Sequence, residues 1–334
     1  MKQIKFAGFA VLILTLAACD EDFQLTEPFK AIPVIYGFMD RTDTAQFIRV
    51  EKAFVSEDIS ASTIAQNPDS LYYNDPLVKI VNLTQSKEYT LSKVDGNLEG
   101  FTRNSGPFAQ SPNILYKIKT SAMQWNGGDS LQIIVQTSEL ASPVTAKIAS
   151  VSDMKFTFPD DNTKQLKFFS INNYDFQWKH RTNARLFNLK ALIHVEEFNI
   201  TTGSSIIKII EMPITTNFPG REGSGEIFSS VKVFGSSLYN FLNDKLSPET
   251  GIERYLIKLD FHLVGGGPEI KEYFEILNAN TGITASQEIP RYTNLSQGFG
   301  IFSSTHSIIK SITPQEPTTD SLKVHPLTRD LTFK

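Results

Sequence analysis

Asn126-Gly127-Gly128-Asp129-Ser130-Leu131-Gln132-Ile133-Ile134-Val135 carries the fold in miniature. Asn-Gly-Gly-Asp is turn chemistry: glycine reaches positive φ without steric cost, and Asn and Asp side chains bond their own backbone. Leu131, Ile133 and Val135 then alternate with Gln132 and Ile134. A period of two places one set on a buried face and marks a strand. Val144, Ala146 and Ile148 repeat the pattern in the next segment.

Working outward, the same alternation recurs. Ile114, Tyr116 and Ile118 precede the turn. Leu77 to Leu83 and Glu88 to Leu91 form a hairpin pattern around Gln85-Ser86-Lys87. Phe47 to Phe54 sets Ile48, Val50 and Phe54 against Arg49 and Glu51, and Val34, Tyr36 and Phe38 alternate with Ile35, Gly37 and Met39. The polar excursion from Ser56 to Asp75 has room for a short helix and is long enough to be a functional loop. About seven short strands with turn signals between them predict an immunoglobulin- or fibronectin-like β-sandwich over residues 33–150. No Cys-Trp-Cys pattern supports a true immunoglobulin domain, because the chain holds one cysteine.

Past Ser150 the pattern lengthens. Lys164 to Ser170 and Phe176 to Lys179 are short strand candidates. Leu189, Ala191, Ile193 and Val195 face away from Lys190, His194 and Glu196, and Tyr255, Ile257, Leu259, Phe261 and Leu263 from Lys258, Asp260 and His262. Ile206 to Met212 is almost continuously apolar and ends at Pro213, which predicts a strand buried on both faces. Two helices are predicted, Ser236 to Leu246 with serine at its N-cap, and Pro268 to Leu277 with proline at its first position. Residues 151–310 thus read as a β-rich second domain with two short helices. Pro314, Pro317 and Pro326 predict an irregular tail over 311–334.

At the other end, Lys2 and Lys5 precede an apolar run from Phe6 to Leu16, followed by Ala17-Ala18-Cys19. This is the three-part build of a secretory signal peptide over residues 1–18, and the run is too short to span a bilayer as a helix, which takes roughly 20 residues. Leu16-Ala17-Ala18-Cys19 resembles the lipobox of bacterial lipoproteins, which implies acylation of Cys19. Two or more acyl chains anchor stably where one does not. Asp20-Glu21-Asp22, within an acidic tether over 19–32, resembles the surface-export signal of Bacteroidota lipoproteins. In other bacteria an aspartate at that place resembles an inner-membrane retention signal, and a solvated acidic linker is the plainer alternative. Beyond Cys19 no cysteine remains for disulfides, thiolate zinc sites or thiol catalysis.

The 334 residues are 40% hydrophobic and 20% charged, with a net charge of −4, ordinary globular values. Mild acidity without a basic block argues against nucleic acid as a partner. No His-Glu-x-x-His, Gly-x-Ser-x-Gly or phosphate-loop motif occurs. Asn217 to Gly225 is glycine-rich but reads as a hairpin loop. The sharpest candidate site is a metal set of His194, Glu196, Asp260 and His262, which converge if their strands are neighbours; a solvated sheet face is the plainer reading. Trp178-Lys179-His180-Arg181 fits an acidic glycan, or a strand end with solvated charges. Asp43-Thr44-Ala45, Asp69-Ser70-Leu71, Asp129-Ser130-Leu131 and Asp320-Ser321-Leu322 fit a short O-glycosylation pattern, or ordinary turns.

Pro33-Val34-Ile35-Tyr36-Gly37, the strand after Asp43-Thr44, the strand pair from Asp129 to Ser150, and Tyr292-Thr293-Asn294-Leu295-Ser296-Gln297-Gly298-Phe299-Gly300-Ile301-Phe302 together resemble an uncharacterised family of Bacteroidota outer-membrane lipoproteins. The resemblance covers roughly Ala31 to Ile309, and the tail departs from it. It implies an outer-membrane location and a TonB-dependent transporter or other envelope complex as partner, and supplies no catalytic residue or cofactor. The expectation is a lipid-anchored, surface-exposed binding or accessory protein rather than an enzyme. A glycan hydrolase with an unidentified carboxylate pair and an adhesin or structural protein are the alternatives.

Overall fold

A computed structural model describes residues 32–53, 60–221, 223–279 and 291–334. The chain is mainly β. In order, the strands are β1 (Ile32–Asp40), β2 (Ala45–Ala53), β3 (Leu77–Asn82), β4 (Lys87–Thr90), β5 (Ser92–Asp95), β6 (Ile114–Lys119), β7 (Ser130–Gln136) and β8 (Val144–Ala149). There follow β9 (Lys155–Phe158), β10 (Gln165–Leu166), β11 (Asn173–His180), β12 (Leu186–Asn199), β13 (Ser204–Pro219), β14 (Ile227–Phe234), β15 (Ile252–Gly266) and β16 (Phe299–Pro314). Among the described residues five short helices accompany them: α1 (Ala61–Ala65), α2 (Pro68–Leu71), α3 (Gly235–Lys245), α4 (Pro268–Ala279) and α5 (Glu316–Val324).

One long sheet runs β13-β12-β15-β16-β1-β2-β6-β5, with β10 pairing the end of β16. Two smaller sheets pack on it. The sheet β4-β3-β7-β8 closes a first core around Ile35, Met39, Ile48, Ile80, Ile133 and Phe302. The sheet β14-β11-β9 closes a second around Trp178, Phe176, Phe187, Ile193 and Phe261. The opening turn does what its composition requires: Gly128 sits at φ +90, and the Asp129 carboxylate accepts from Asn82, Gln85 and the Asn126 backbone. That use of Asp129 is turn chemistry.

The two cores divide near residue 150, yet the main sheet does not. β1 pairs in parallel with β16, Val34 opposite Phe299 through Asp40 opposite Thr305. β16 therefore gives Phe302 to the first core and Ile312 to the second. The close approach needs glycine. Gly300 has φ +118, and a Cβ there would lie 1.9 Å from the Ile35 carbonyl oxygen.

Several expectations are corrected. Ile206 to Met212 is not buried on both faces. It belongs to β13, which pairs with β12 alone and forms an edge of the sheet. The strand continues through Pro213 to Pro219 because an edge tolerates a residue without a backbone N–H. Only Gln165–Leu166 of the Lys164 to Ser170 segment is strand. α3 starts at Gly235 with Phe234 at its cap position, so Ser236 lies inside the helix.

The tail is not irregular. Pro317 sits in the first turn of α5, where its missing N–H costs nothing, while Pro314 and Pro326 lie outside the helix. Thr318 and Leu322 are fully buried, and Leu331 and Phe333 join the second core. The Thr318 hydroxyl accepts from the Phe168 amide at 2.8 Å. The buried Arg254 pins the tail: its Nε donates to Glu197 (2.8 Å), one terminal nitrogen to the Leu331 carbonyl (2.9 Å) and the other to the Ser247 carbonyl (3.0 Å).

Candidate functional site

β12 and β15 are antiparallel neighbours, so the condition for the metal set is met in topology but not in register. Leu192 lies opposite Asp260, His194 opposite Lys258, Glu196 opposite Tyr255, and Lys190 opposite His262. His194 and Asp260 are thereby diagonal, with Nε2 2.9 Å from Oδ2. That approach is an ion-pair contact without hydrogen-bond alignment. The same carboxylate oxygen takes the Lys258 ammonium at 2.8 Å, and Oδ1 accepts from Ser311 at 2.5 Å. A lysine ammonium thus stands where a metal would. Glu196 and His262 lie at opposite ends of the row, and no group of three His, Cys, Asp or Glu gathers among the described residues.

Burial alone would raise the Asp260 carboxyl, but hydrogen bonds from Lys258 and Ser311 and the charges of Lys258 and His194 hold it below the usual carboxylate range. Burial lowers the His262 imidazole, and nearby Lys190 lowers it further. The cluster is a charge lock across three strands.

Glu269 and Glu272 are two acids of α4. Burial raises the Glu269 carboxyl, and Glu272 accepts from the Tyr292 hydroxyl at 2.8 Å. Glu269 instead takes the Ser303 hydroxyl at 2.7 Å in the first turn of a helix, a place that favours an acid for structural reasons. The glycine-rich Asn217 to Gly225 segment joins β13 to β14 and precedes no helix. Lys179 and Arg181 line a cleft, while Trp178 and His180 turn into the core. Cys19 and Asp20, Glu21 and Asp22 lie outside the described residues.

Among the described residues, an unclaimed apolar surface lies at the far end of the β12–β13 hairpin. Ile206, Ile207 and Ile209 are 57%, 62% and 58% exposed, and Ile200 at the tip is similarly open. Ile207 and Ile209 share the outer sheet face with Glu196 and His194, which they pair. Among the described residues β13 has no neighbour on its other side. Its outward N–H and C=O groups form a row that another strand can extend, and a long apolar edge is the kind that recruits one. Sequence periodicity did not show this, because it reports faces and not neighbours.

No protein-family model and no curated protein matches the chain. Among solved structures, the C-terminal globular domain of an oligosaccharyltransferase from Pyrococcus abyssi aligns at 8% identity and TM-score 0.22, over 86% of this chain and 50% of that one. The calcium-binding domain pairs CBD12 of CALX1.1 and CALX1.2 each align at 11% identity over 84% of this chain and 99% of theirs, with TM-scores of 0.19 and 0.20. The chain spans half the length of the first of these. Likenesses of this size carry no argument.

Proposed function

We propose that the chain is a lipid-anchored outer-membrane protein that works by binding rather than catalysis, as an accessory subunit of an envelope transporter or assembly. The observation that carries this is the open β13 edge with its exposed isoleucines. Such a surface is unfavourable in isolation, and covering each side chain fully would contribute about 1–2 kcal/mol. The occupant is an extended segment of an outer-membrane β-barrel partner, which would add a strand to β13 and seat apolar side chains against Ile207 and Ile209. The Cys19 lipobox supports the anchor, Asp20 to Asp22 support a surface-facing body, and the resemblance to Bacteroidota outer-membrane lipoproteins supports a TonB-dependent transporter as the barrel.

The test is a mild-detergent pull-down from native membranes, with wild type and the double variant Ile207→Lys/Ile209→Lys compared by mass spectrometry. Recovery of a stoichiometric barrel protein by wild type and its loss in the variant would support the reading. Recovery of no envelope protein, or undiminished capture by the variant, would overturn it. Concentration-dependent dimerisation abolished by the same variant would assign the edge to a second copy of the chain instead.

A further inference from the structure

We infer that the cleft between β9, the end of β11 and β16 is a binding site for the oxyanion group of a small ligand, with Lys310 as its principal anchor. The cleft has a volume of about 590 Å³. Met154, Phe156 and Ile308 give it apolar walls, Lys155, Lys179, Arg181 and Lys310 give it cations, and Asp153, Asp161 and Glu226 also line it. That size and mixture suit a small molecule held by a few placed polar groups.

Two of the four cations are already neutralised. Lys155 pairs Asp161 at 2.5 Å, and Lys179 pairs Glu226 at 2.9 Å. Lys310 is different. It sits on the inner face of β16 opposite Phe261 and is only 8% exposed. Among the described residues it makes no hydrogen bond and no ion pair. Asp160 is occupied by the Thr163 amide and hydroxyl, and Asp161 by Lys155. Arg181, at the rim, likewise has no carboxylate partner among the described residues.

The Lys310 stem is buried, while its ammonium, which is not among the buried polar atoms lacking a partner, reaches the open space of the cleft. A cation presented to a cleft that a second cation without a carboxylate partner also lines is what an anion would complete. Burial pushes the Lys310 amine below its usual range and repulsion from Lys164 lowers it further, while the charges of Asp161 and Asp160 act the other way. An arriving oxyanion would favour the charged ammonium and offset both effects. A carboxylate, sulfate or phosphate would accept from Lys310 at depth and from Arg181 at the mouth, and charge-assisted bonds of this kind are the strong ones. Uncharged parts of the ligand would lie on Phe156 and Ile308.

This site is separate from the β13 edge, so the two ideas fail separately. The experiment is isothermal titration of the full-length protein in detergent with sodium sulfate, sodium phosphate and sodium glucuronate. Sodium chloride holds ionic strength constant, and glucose is the uncharged control. At least one oxyanion should bind saturably and glucose should not. Saturation by sulfate or phosphate alone identifies an inorganic ligand, and preference for glucuronate a sugar acid. Lys310→Met should weaken binding about tenfold or more, and Arg181→Gln several-fold. Lys232→Met, an exposed lysine of β14 outside the cleft, should change nothing. Circular dichroism checks that each variant is folded, and capture of the barrel partner should be unaffected by Lys310→Met. Absence of saturable binding by every oxyanion, or equal affinity in Lys310→Met and wild type, overturns the assignment.

Discussion

Replacing Arg254 with methionine should destabilise the second core by about 3–4 kcal/mol. The side chain is fully buried, and its partner Glu197 is 4% exposed. Removing one member of a buried, hydrogen-bonded ion pair typically costs about 3–5 kcal/mol, because the other charge stays behind. Here Lys208 remains 2.5 Å from the other carboxylate oxygen and offsets part of that loss, which places the figure toward the lower end. The carbonyls of Leu331 and Ser247 also lose their donor, loosening the tail. Urea unfolding followed by tryptophan fluorescence reads this directly. The chain has two tryptophans, Trp125 in the first core and Trp178 in the second. A Trp125→Phe background leaves Trp178 to report on the affected core.

The double variant Arg254→Met/Glu197→Gln should recover part of the loss, since no charge is then stranded. The penalty should also shrink in acid. Burial would raise the Glu197 carboxyl, but Lys208 and Arg254 together hold it below the usual range. Its stabilisation is present above the unfolded glutamate value and is lost as pH falls through the folded one. A loss under about 1 kcal/mol, or a double variant less stable than Arg254→Met alone, would refute the account.

Gly300→Ala should cost several kcal/mol and lower both cores' urea midpoints, because its Cβ meets the Ile35 carbonyl and the residue holds positive φ; unchanged midpoints would contradict the β1–β16 pairing. Asp260, like Glu197, has its carboxyl held low, so stability should fall as pH drops from about 5 towards 2, and the slope should flatten in Asp260→Asn. Ile207→Lys/Ile209→Lys should shift stability by no more than about 0.5 kcal/mol while removing partner capture. Cys19→Ala should move the protein from the membrane fraction to the soluble one; retention in the membrane would remove the basis for the lipid anchor.

Alternation marks many of the strands, because which side chains turn inward is a local property, but β5, β9, β14 and β16 are not among those it marks. Leu131, Ile133 and Val135 are fully buried as their spacing requires. What alternation cannot give is the neighbour. Ile206 to Met212 has the composition of a central strand, and only the absence of a partner beyond β13 makes it an edge. The parallel pairing of β1 with β16 joins residues more than 250 positions apart, and no window of sequence contains it. Gly298 and Gly300 stood in the stretch that carried the family resemblance, yet their reason is visible only where β1 crosses them. The prolines of the tail predict breaks, and the structure puts Pro317 in the first turn of a helix, with Pro314 before it and Pro326 after it. In each case the residue type is local information, and its role depends on a distant neighbour.

The same limit separates the two candidate sites. His194, Glu196, Asp260 and His262 stood out because their types are those of metal ligands, and Lys258, the residue that neutralises Asp260, was read only as a charge on the polar face. Lys310 carries no such mark in the sequence, where no strand is predicted around it and a lone lysine is ordinarily solvated. It is buried for a topological reason. β16 is shared by the two sandwiches, and the three-stranded sheet closes over the strand at the point where Lys310 faces inward. Gly127 and Ser152 bring the first sandwich and its connection to the rim of the same cleft. Neither half of the chain contains the whole cleft. A site built this way depends on the continuity of the main sheet, so Gly300→Ala should weaken oxyanion binding as well as stability, although Gly300 lies ten residues from Lys310.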